Sequence, residues 1–120
     1  MRPTGPTNPY LKSLVQKLRE VSLREKAKIW KRVAELLSKP RRKKVEVNLS
    51  RIERYAKPGE VIVVPGIVLA SGSLSKPLTI AAWRFSARAK SKIEESKGKA
   101  LQIEQLLQEN PKGSGIKIMV

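Results

Sequence analysis

A formal net charge of +16 constrains this 120-residue chain more than any other feature of its sequence. Lysine and arginine number 26 against 10 acidic residues, which gives a pI near 10.6. Like charge at this density opposes compaction unless a polyanion neutralises it, so a nucleic acid is the expected partner. The first 60 residues carry 17 basic and 6 acidic groups and the last 60 carry 9 and 4. The first half is therefore expected to hold the larger share of the contact.

Missing residue types exclude several classes of function. The chain contains no cysteine, no histidine and no aspartate. A zinc site of the usual nitrogen and sulfur ligands and a Ser-His-Asp or Cys-His arrangement therefore cannot be built. Glutamate and lysine remain for proton transfer, but no pair is marked by its setting, so the sequence predicts no enzyme, no cofactor and no small-molecule substrate. No apolar run approaches the roughly 20 residues of a membrane-spanning helix, and no membrane contact is expected.

Length and patterning predict a single small α/β domain. A chain of 120 residues with 40% apolar residues supports one small core. Residues 1–8, rich in Pro, Gly and Thr, are expected to form an extended basic arm, and residues 9–120 the domain. Apolar residues at helical spacing predict one helix of about three turns starting at Pro9. The capping-box pattern Ser22–Glu25 predicts that a second helix begins almost at once, and Pro40 ends it.

After this helix pair, strands alternate with short helices, which is the order expected of an α/β fold. Alternation of apolar and polar residues predicts a strand at Val45–Leu49, and a second capping box, Ser50–Glu53, predicts a short helix after it. Pro65-Gly66 is expected to break the next apolar run. The remaining predicted elements are strands at 61–64, 67–69 and 78–82, a helix capped by Ser86 that ends at Glu95, a helix at 103–109 and a strand at 116–120.

The densest basic segment is 38–57, with eight basic residues and two acids. Its uninterrupted run at 41–44 precedes the first strand, and Arg51 and Arg54 lie three apart on the helix that Ser50 is expected to start. Arginine forks pair with phosphate oxygens and lysine adds a point charge, while a helix N-terminus attracts anions. We interpret the segment as a phosphate-binding surface. The alternative is a solvated face whose arginines pair with neighbouring glutamates.

Two loops and three aromatic residues give weaker indications of nucleic-acid binding. The loops at 65–76 and 110–115 combine glycine with polar or basic residues, which suits either phosphate contact or a simple turn. Neither fits the pattern G-x-x-x-x-G-K-[ST], which argues against a nucleotide site. Trp30 shares a helical stripe with apolar residues and is expected in the core. Trp83 and Phe85 flank Arg84 at a strand end, and the sequence leaves core packing and base stacking both open for them.

Several short stretches occur together in an order that resembles one family. They are residues 7–9, 39–42, 46–52, 63–66 with 68–69, 85–86, 100–101 and 110–115. The chain thereby resembles the large-subunit ribosomal protein family called eighteen-e in archaea and eukaryotes, a relative of bacterial large-subunit protein fifteen. It is similar to the shorter archaeal form. The resemblance implies an α/β fold of irregular strand-strand-helix turns, a structural role in the cytoplasmic ribosome, and large-subunit rRNA and neighbouring ribosomal proteins as partners.

The resemblance and the basic pattern together give a set of expected contacts. The predicted RNA-binding residues are Thr7, Asn8, Lys39, Arg41, Arg42, Lys43, Lys44, Asn48, Ser50, Arg51, Arg54, Gly66, Lys76, Lys112, Gly113 and Ser114. Two positions depart from the family pattern. Ile67 stands where a basic residue is expected, which removes one contact, and Gln102 stands where a helix-capping serine is usual, which predicts a weaker helix start.

The same features leave two alternatives to a ribosomal role. A free-standing nucleic-acid-binding protein, such as a chromatin or RNA-processing factor, would show the same basic surface. An enzyme acting on RNA would have to work with glutamate and lysine alone, because aspartate, histidine and cysteine are missing.

Overall fold

The computed structural model describes residues 9–38 and 45–120. Within these ranges, the five helices follow the predicted order, and the α/β class with an N-terminal helix pair is confirmed. The helices are α1 (Pro9–Glu25), α2 (Lys28–Leu37), α3 (Leu49–Tyr55), α4 (Ala87–Glu95) and α5 (Ile103–Glu109). The strands are β1 (Val45–Asn48), β2 (Val61–Leu69), β3 (Thr79–Phe85), β4 (Lys99–Gln102) and β5 (Ile116–Ile118). No helix in the described part of the chain is long and apolar enough to cross a membrane.

The first helix is longer than predicted, and the capping box at Ser22 is wrong. Ser22 is buried inside α1, and its carbonyl oxygen accepts a hydrogen bond of 3.0 Å from the N–H of Ala27. The buried stripe of α1 continues past Val21, so packing against α2 outweighs the local capping preference. The helix ends instead at Glu25, and the next residue, Lys26, adopts a left-handed φ of 55° and turns the chain toward α2.

The five strands form one parallel sheet centred on β2. Strand β3 lies on one side of β2, with β4 beyond it. On the other side, β1 pairs with Gly66–Leu69 and β5 pairs with Val61–Val63, so these two short strands lie end to end along the same edge. Strand β4 was not predicted, because its Lys-Ala-Leu-Gln sequence shows no alternation and its residues are only partly buried.

The dipeptide Pro65-Gly66 does not end a strand, contrary to the prediction. Strand β2 continues through it, with a one-residue shift of register against β3 between Val64 and Ile67. This is a β-bulge, which accommodates proline inside a sheet. Gly66 is required by the close approach of β1, because a Cβ atom there would lie 2.0 Å from the carbonyl oxygen of Val45.

Each face of the sheet carries a separate apolar core. Helices α1, α2 and α5 cover one face, where Val63 and Ala81 point, and α3 and α4 cover the other, where Ile62 and Ile80 point. Trp30 belongs to the first core with 0% of its surface exposed, which confirms its predicted place. This layering puts the short helix α3 at the outer edge of the sheet, beside β1.

Two helix starts test the capping predictions. Ser86 caps α4 as predicted, because its hydroxyl accepts a hydrogen bond of 3.1 Å from the N–H of Ala89. Helix α5 begins directly after Gln102 without the usual serine. The side-chain oxygen of Gln105 accepts a hydrogen bond of 2.9 Å from the backbone N–H of Gln102, so this start has a cap of its own.

Candidate nucleic-acid interface

Four predicted site residues come together where β1 runs into α3. Asn48 ends β1, and Ser50, Arg51 and Arg54 lie on α3 and are exposed. They face outward because the apolar residues between them, Leu49 and Ile52, are fully buried against the second core. We call the four residues Asn48, Ser50, Arg51 and Arg54 the β1–α3 surface.

The two arginines of this surface have no ion-pair partner among the described residues. The guanidinium of Arg51 lies 5.2 Å from the centroid of the Tyr55 ring, a cation–π contact that holds it on the helix. Glu53, which could have paired with either arginine, binds Ser75 instead. Glu53 therefore does not pair with Arg51 or Arg54, and neither arginine has its charge neutralised by a described residue.

Glu53 is held by two donors from one residue. The hydroxyl of Ser75 donates a hydrogen bond of 2.7 Å to the carboxylate, and its backbone N–H donates one of 3.0 Å. These bonds, helped by the positive charge of Lys76 and opposed by partial desolvation, lower the pKa of Glu53 from its ordinary value of 4.5. The carboxylate thus fastens the β2–β3 loop to α3 in its ionised form.

The predicted capping box at Ser50 is wrong for the same reason. Asn48, not Ser50, occupies the N-cap position of α3, and Glu53 is turned to the loop rather than to the helix start. The side-chain oxygen of Asn48 accepts a hydrogen bond of 3.3 Å from the N–H of Ser71, and the N–H of Ser50 donates one of 3.0 Å to the Ser71 carbonyl. The residues of the β1–α3 surface are therefore positioned by the loop after β2.

Two lysines also hold the β2–β3 loop in place, one from α4 and one from within the loop. The ammonium of Lys92 on α4 donates to the carbonyl oxygens of Ala70 and Gly72, at 2.9 and 2.7 Å. The ammonium of Lys76 donates to the carbonyl oxygens of Glu53 and Ala56, at 2.6 and 2.7 Å, and so caps the C-terminal end of α3. The sequence predicts Lys76 as an RNA contact but does not indicate this structural role.

The remaining predicted contacts are placed elsewhere. Gly66 is buried in the sheet against Val45. Lys112, Gly113 and Ser114 lie in the loop before β5, where a Cβ on Gly113 would lie 2.3 Å from the side chain of Ile29 on α2. This loop therefore packs beside α2, on the opposite face of the sheet from α3. Thr7, Asn8, Lys39, Arg41, Arg42, Lys43 and Lys44 lie outside the described residues.

An aromatic cleft is the feature that sequence reasoning found only in part. Trp83 and Phe85 are both half-buried, each packing against a different core, and both also line an open cleft. Tyr10 joins them there, although it stands more than 70 positions away in the sequence. Only the fold brings α1 and β3 together at this place.

No cluster of side chains suited to a metal ion occurs in residues 9–38 and 45–120.

A pI near 10.6 and an exposed basic surface are typical of a nucleic-acid-binding protein, and comparison with known proteins shows which kind. The chain matches the family model described as "Ribosomal protein 60S L18 and 50S L18e" over residues 2–120. It is 54% identical over 114 residues to "Large ribosomal subunit protein eL18" of Archaeoglobus fulgidus, covering 95% of this chain and 97% of the relative. The protein of the same name from Methanococcus maripaludis is 56% identical over 113 residues, covering 94% of each.

The chain belongs to this L18/L18e family of large-subunit ribosomal proteins. It is thus a structural constituent of the ribosome in the cytoplasm and not an enzyme. A third relative, from Pyrobaculum aerophilum, is 44% identical over 118 residues, covering 98% of this chain and 97% of the relative. All three relatives are archaeal, which confirms the resemblance to the archaeal form.

Proposed function

We propose that the chain binds large-subunit rRNA through phosphate contacts made by the β1–α3 surface and by the basic run that precedes β1. The observation that supports this most directly is that Arg51 and Arg54 are exposed and lack an ion-pair partner in the described residues, while Glu53 beside them is bound to Ser75. Neighbouring large-subunit proteins are the further partners. Residues 9–120 act as one RNA-binding domain and residues 1–8 as an arm.

The energies of exposed ion pairs and of phosphate contacts favour RNA binding over the alternative of a basic surface that only faces solvent. Exposed ion pairs contribute only about 0–1 kcal/mol each to stability, so they do not account for eight basic residues within 38–57. Each phosphate that a cation neutralises releases condensed counterions, which makes a cluster of several arginines and lysines effective for RNA. Arginine also binds phosphate in two-pronged fashion, and the stacking of Arg51 on Tyr55 reduces the freedom that such binding would cost.

The experiment replaces four arginines at once. The variant Arg41→Gln, Arg42→Gln, Arg51→Gln and Arg54→Gln should fold normally, because the described pair is exposed, and should enter large subunits poorly. Folding is measured by thermal unfolding, and incorporation by sedimentation with large subunits in high salt. Normal incorporation would refute the proposal, and loss of folding would show that the cluster is structural.

A second variant controls for the loss of four positive charges. Replacing exposed cations of the helix pair, namely Lys12, Arg19, Lys28 and Lys31, by glutamine lowers the net charge equally. This variant should enter large subunits better than the first. If both were equally defective, the position of the charges would not matter and the β1–α3 surface would have no special role.

A further inference from the structure

Three of the five aromatic residues of the chain line one open cleft. The sequence holds two Trp, two Tyr and one Phe, all within the described ranges, and only Trp30 is buried. The cleft has a volume of about 510 Å³ and is lined by Tyr10, Trp83, Arg84, Phe85 and Gln102. A chain so poor in aromatic residues would be expected to use them in its core, where they bury the most area. Trp83 and Phe85 pack on the cores with only part of their surface, and the rest of each ring faces the cleft.

The cleft lies where a parallel α/β sheet places its ligands. Phe85 is the last residue of β3, Gln102 is the last of β4, and Tyr10 belongs to the first turn of α1. Ligands of open α/β sheets bind outside the carboxyl ends of the strands. Trp83 packs partly on the first core and Phe85 partly on the second, so both rings are anchored. Tyr10 is 78% exposed and belongs to the lining of the cleft.

The chemistry of the lining suits a flat ligand with negative charge. No acidic side chain is among the described residues that line the cleft. The guanidinium of Arg84 lies 5.4 Å from the centroid of the Trp83 ring and has no ion-pair partner among the described residues. Aromatic rings beside an arginine are the combination with which proteins hold unpaired nucleotides, because every base has a π-face and every nucleotide a phosphate.

We propose that this cleft holds one unpaired nucleotide of RNA, with its base stacked on Trp83 and Tyr10 and its phosphate paired with Arg84. The inference rests on the proposed function in taking RNA as the partner, but it assigns a second site with different chemistry. The β1–α3 surface, beside the outer strand β1, binds phosphates of paired and unpaired strands alike. The cleft, beside the opposite outer strand β4, selects a base that is free of its partner strand.

The test compares two RNA probes of equal phosphate number, a short oligoadenylate and a fully paired hairpin. Tryptophan fluorescence should be quenched by the oligoadenylate and much less by the hairpin, since Trp83 is half-buried while Trp30 is shielded. Tyr10→Leu, Trp83→Leu and Arg84→Gln should each weaken oligoadenylate binding roughly tenfold, as loss of a stacking or charge contact does. Their affinity for the hairpin should stay unchanged. Trp83→Phe keeps a flat ring and should keep the preference for oligoadenylate.

The outcomes separate this inference from the proposed function. If Tyr10→Leu and Arg84→Gln, both changes of exposed residues, bind oligoadenylate as tightly as the unchanged protein, the cleft inference is overturned and the phosphate-binding role of Arg51 and Arg54 stands. If the unchanged protein binds neither probe, the proposed function fails as well. If the cleft variants bind both probes normally but no longer enter large subunits, the cleft holds a neighbouring protein, which also overturns the inference.

Discussion

The indole Nε1 of Trp30 donates a hydrogen bond of 2.9 Å to the carbonyl oxygen of Pro111, 81 positions further along the chain. Trp30 is completely buried among α1, α2 and α5, and Pro111 opens the loop that carries Lys112 and Ser114. The helix pair and this basic loop are therefore joined through one side chain. A core residue fixes the place of a loop for which RNA contact is predicted.

Trp30→Ala should lower the free energy of unfolding by about 3–5 kcal/mol, because it leaves a large cavity in the first core. Trp30→Phe keeps most of the ring but removes the donor, and a partly buried carbonyl left without its partner costs about 1–3 kcal/mol. Urea unfolding of the two variants measures both values. If Trp30→Ala kept its melting temperature and lost only RNA affinity, base stacking would replace the core role.

The Glu53–Ser75 contact should make stability depend on pH. The folded pKa of Glu53 lies below 4.5, so its contribution is fully present above pH 4.5 and is lost as the pH falls through the folded value. The difference in unfolding free energy between the unchanged protein and Glu53→Gln should therefore shrink as the solution is acidified. Glu94→Gln, which removes an exposed carboxylate on α4, is the control for lost charge. A difference that stays constant from neutral to acid pH would contradict the prediction.

Lys76→Met and Lys92→Met should loosen the β2–β3 loop. Each removes an ammonium that donates to two backbone carbonyl oxygens, and methionine keeps the apolar stem. Charge-assisted bonds at partly buried positions suggest a loss of roughly 1–2 kcal/mol for each change. Hydrogen exchange should become faster in residues 70–76, whereas Lys90→Met on the exposed side of α4 should leave it unchanged. Equal exchange in all three variants would show that the loop is held by other contacts.

Gly66→Ala should destabilise the fold far more than Gly115→Ala. At Gly66 the added methyl meets the backbone of Val45, which cannot move without breaking the pairing of β1 and β2, so a cost of roughly 3 kcal/mol or more is expected. At Gly115 nothing lies within 4 Å, and only the left-handed φ of 71° resists the change, at about 1–2 kcal/mol. Denaturant midpoints compare the two, and equal midpoints would argue against a tight approach of β1.

Binding to rRNA fragments should weaken steeply as salt rises. Each phosphate contact contributes about −0.7 to −0.9 to the slope of log affinity against log salt. Replacing Arg51 and Arg54 by glutamine removes two such contacts and should make the slope less steep by the contribution of those two contacts. Tyr10→Leu in the aromatic cleft should leave the slope unchanged. An affinity that barely moves between low and moderate salt would rule out phosphate contacts as the main source of binding.

The sequence predicted the elements with strong internal patterns and missed those set by tertiary contacts. The stripe around Trp30 and the alternation around Val47 were enough to place both residues in a core. The capping boxes at Ser22 and Ser50 were wrong because Ser22 is drawn into the buried stripe of α1 and Glu53 finds a better donor in Ser75. Strand β4 has no pattern of its own, since it forms by pairing with β3.

The sequence predicted that the candidate site is basic but not how its residues are arranged in space. The spacing of three residues predicted that Arg51 and Arg54 share one face of a helix, and both are exposed on α3. No sequence pattern indicated that Lys76 and Lys92 bind carbonyl oxygens of a helix and of a loop, because these contacts depend on how α3 and α4 flank the loop. Tyr10 could join the aromatic cleft only once α1 was placed beside the end of β3.

Gly66, in the bulge of β2, also limits the alignments in which β1 can pair with β2. Strand β1 has only four residues, of which only Val47 is buried, so its side chains make few contacts that could select one alignment. Opposite Val45, however, only a residue without a Cβ fits, and in β2 that residue is Gly66. Sliding β1 by one position would set Val45 against Pro65 or Ile67, both with side chains. Gly66 therefore permits only one alignment of β1 with β2. This alignment also places the start of α3, which carries Arg51 and Arg54.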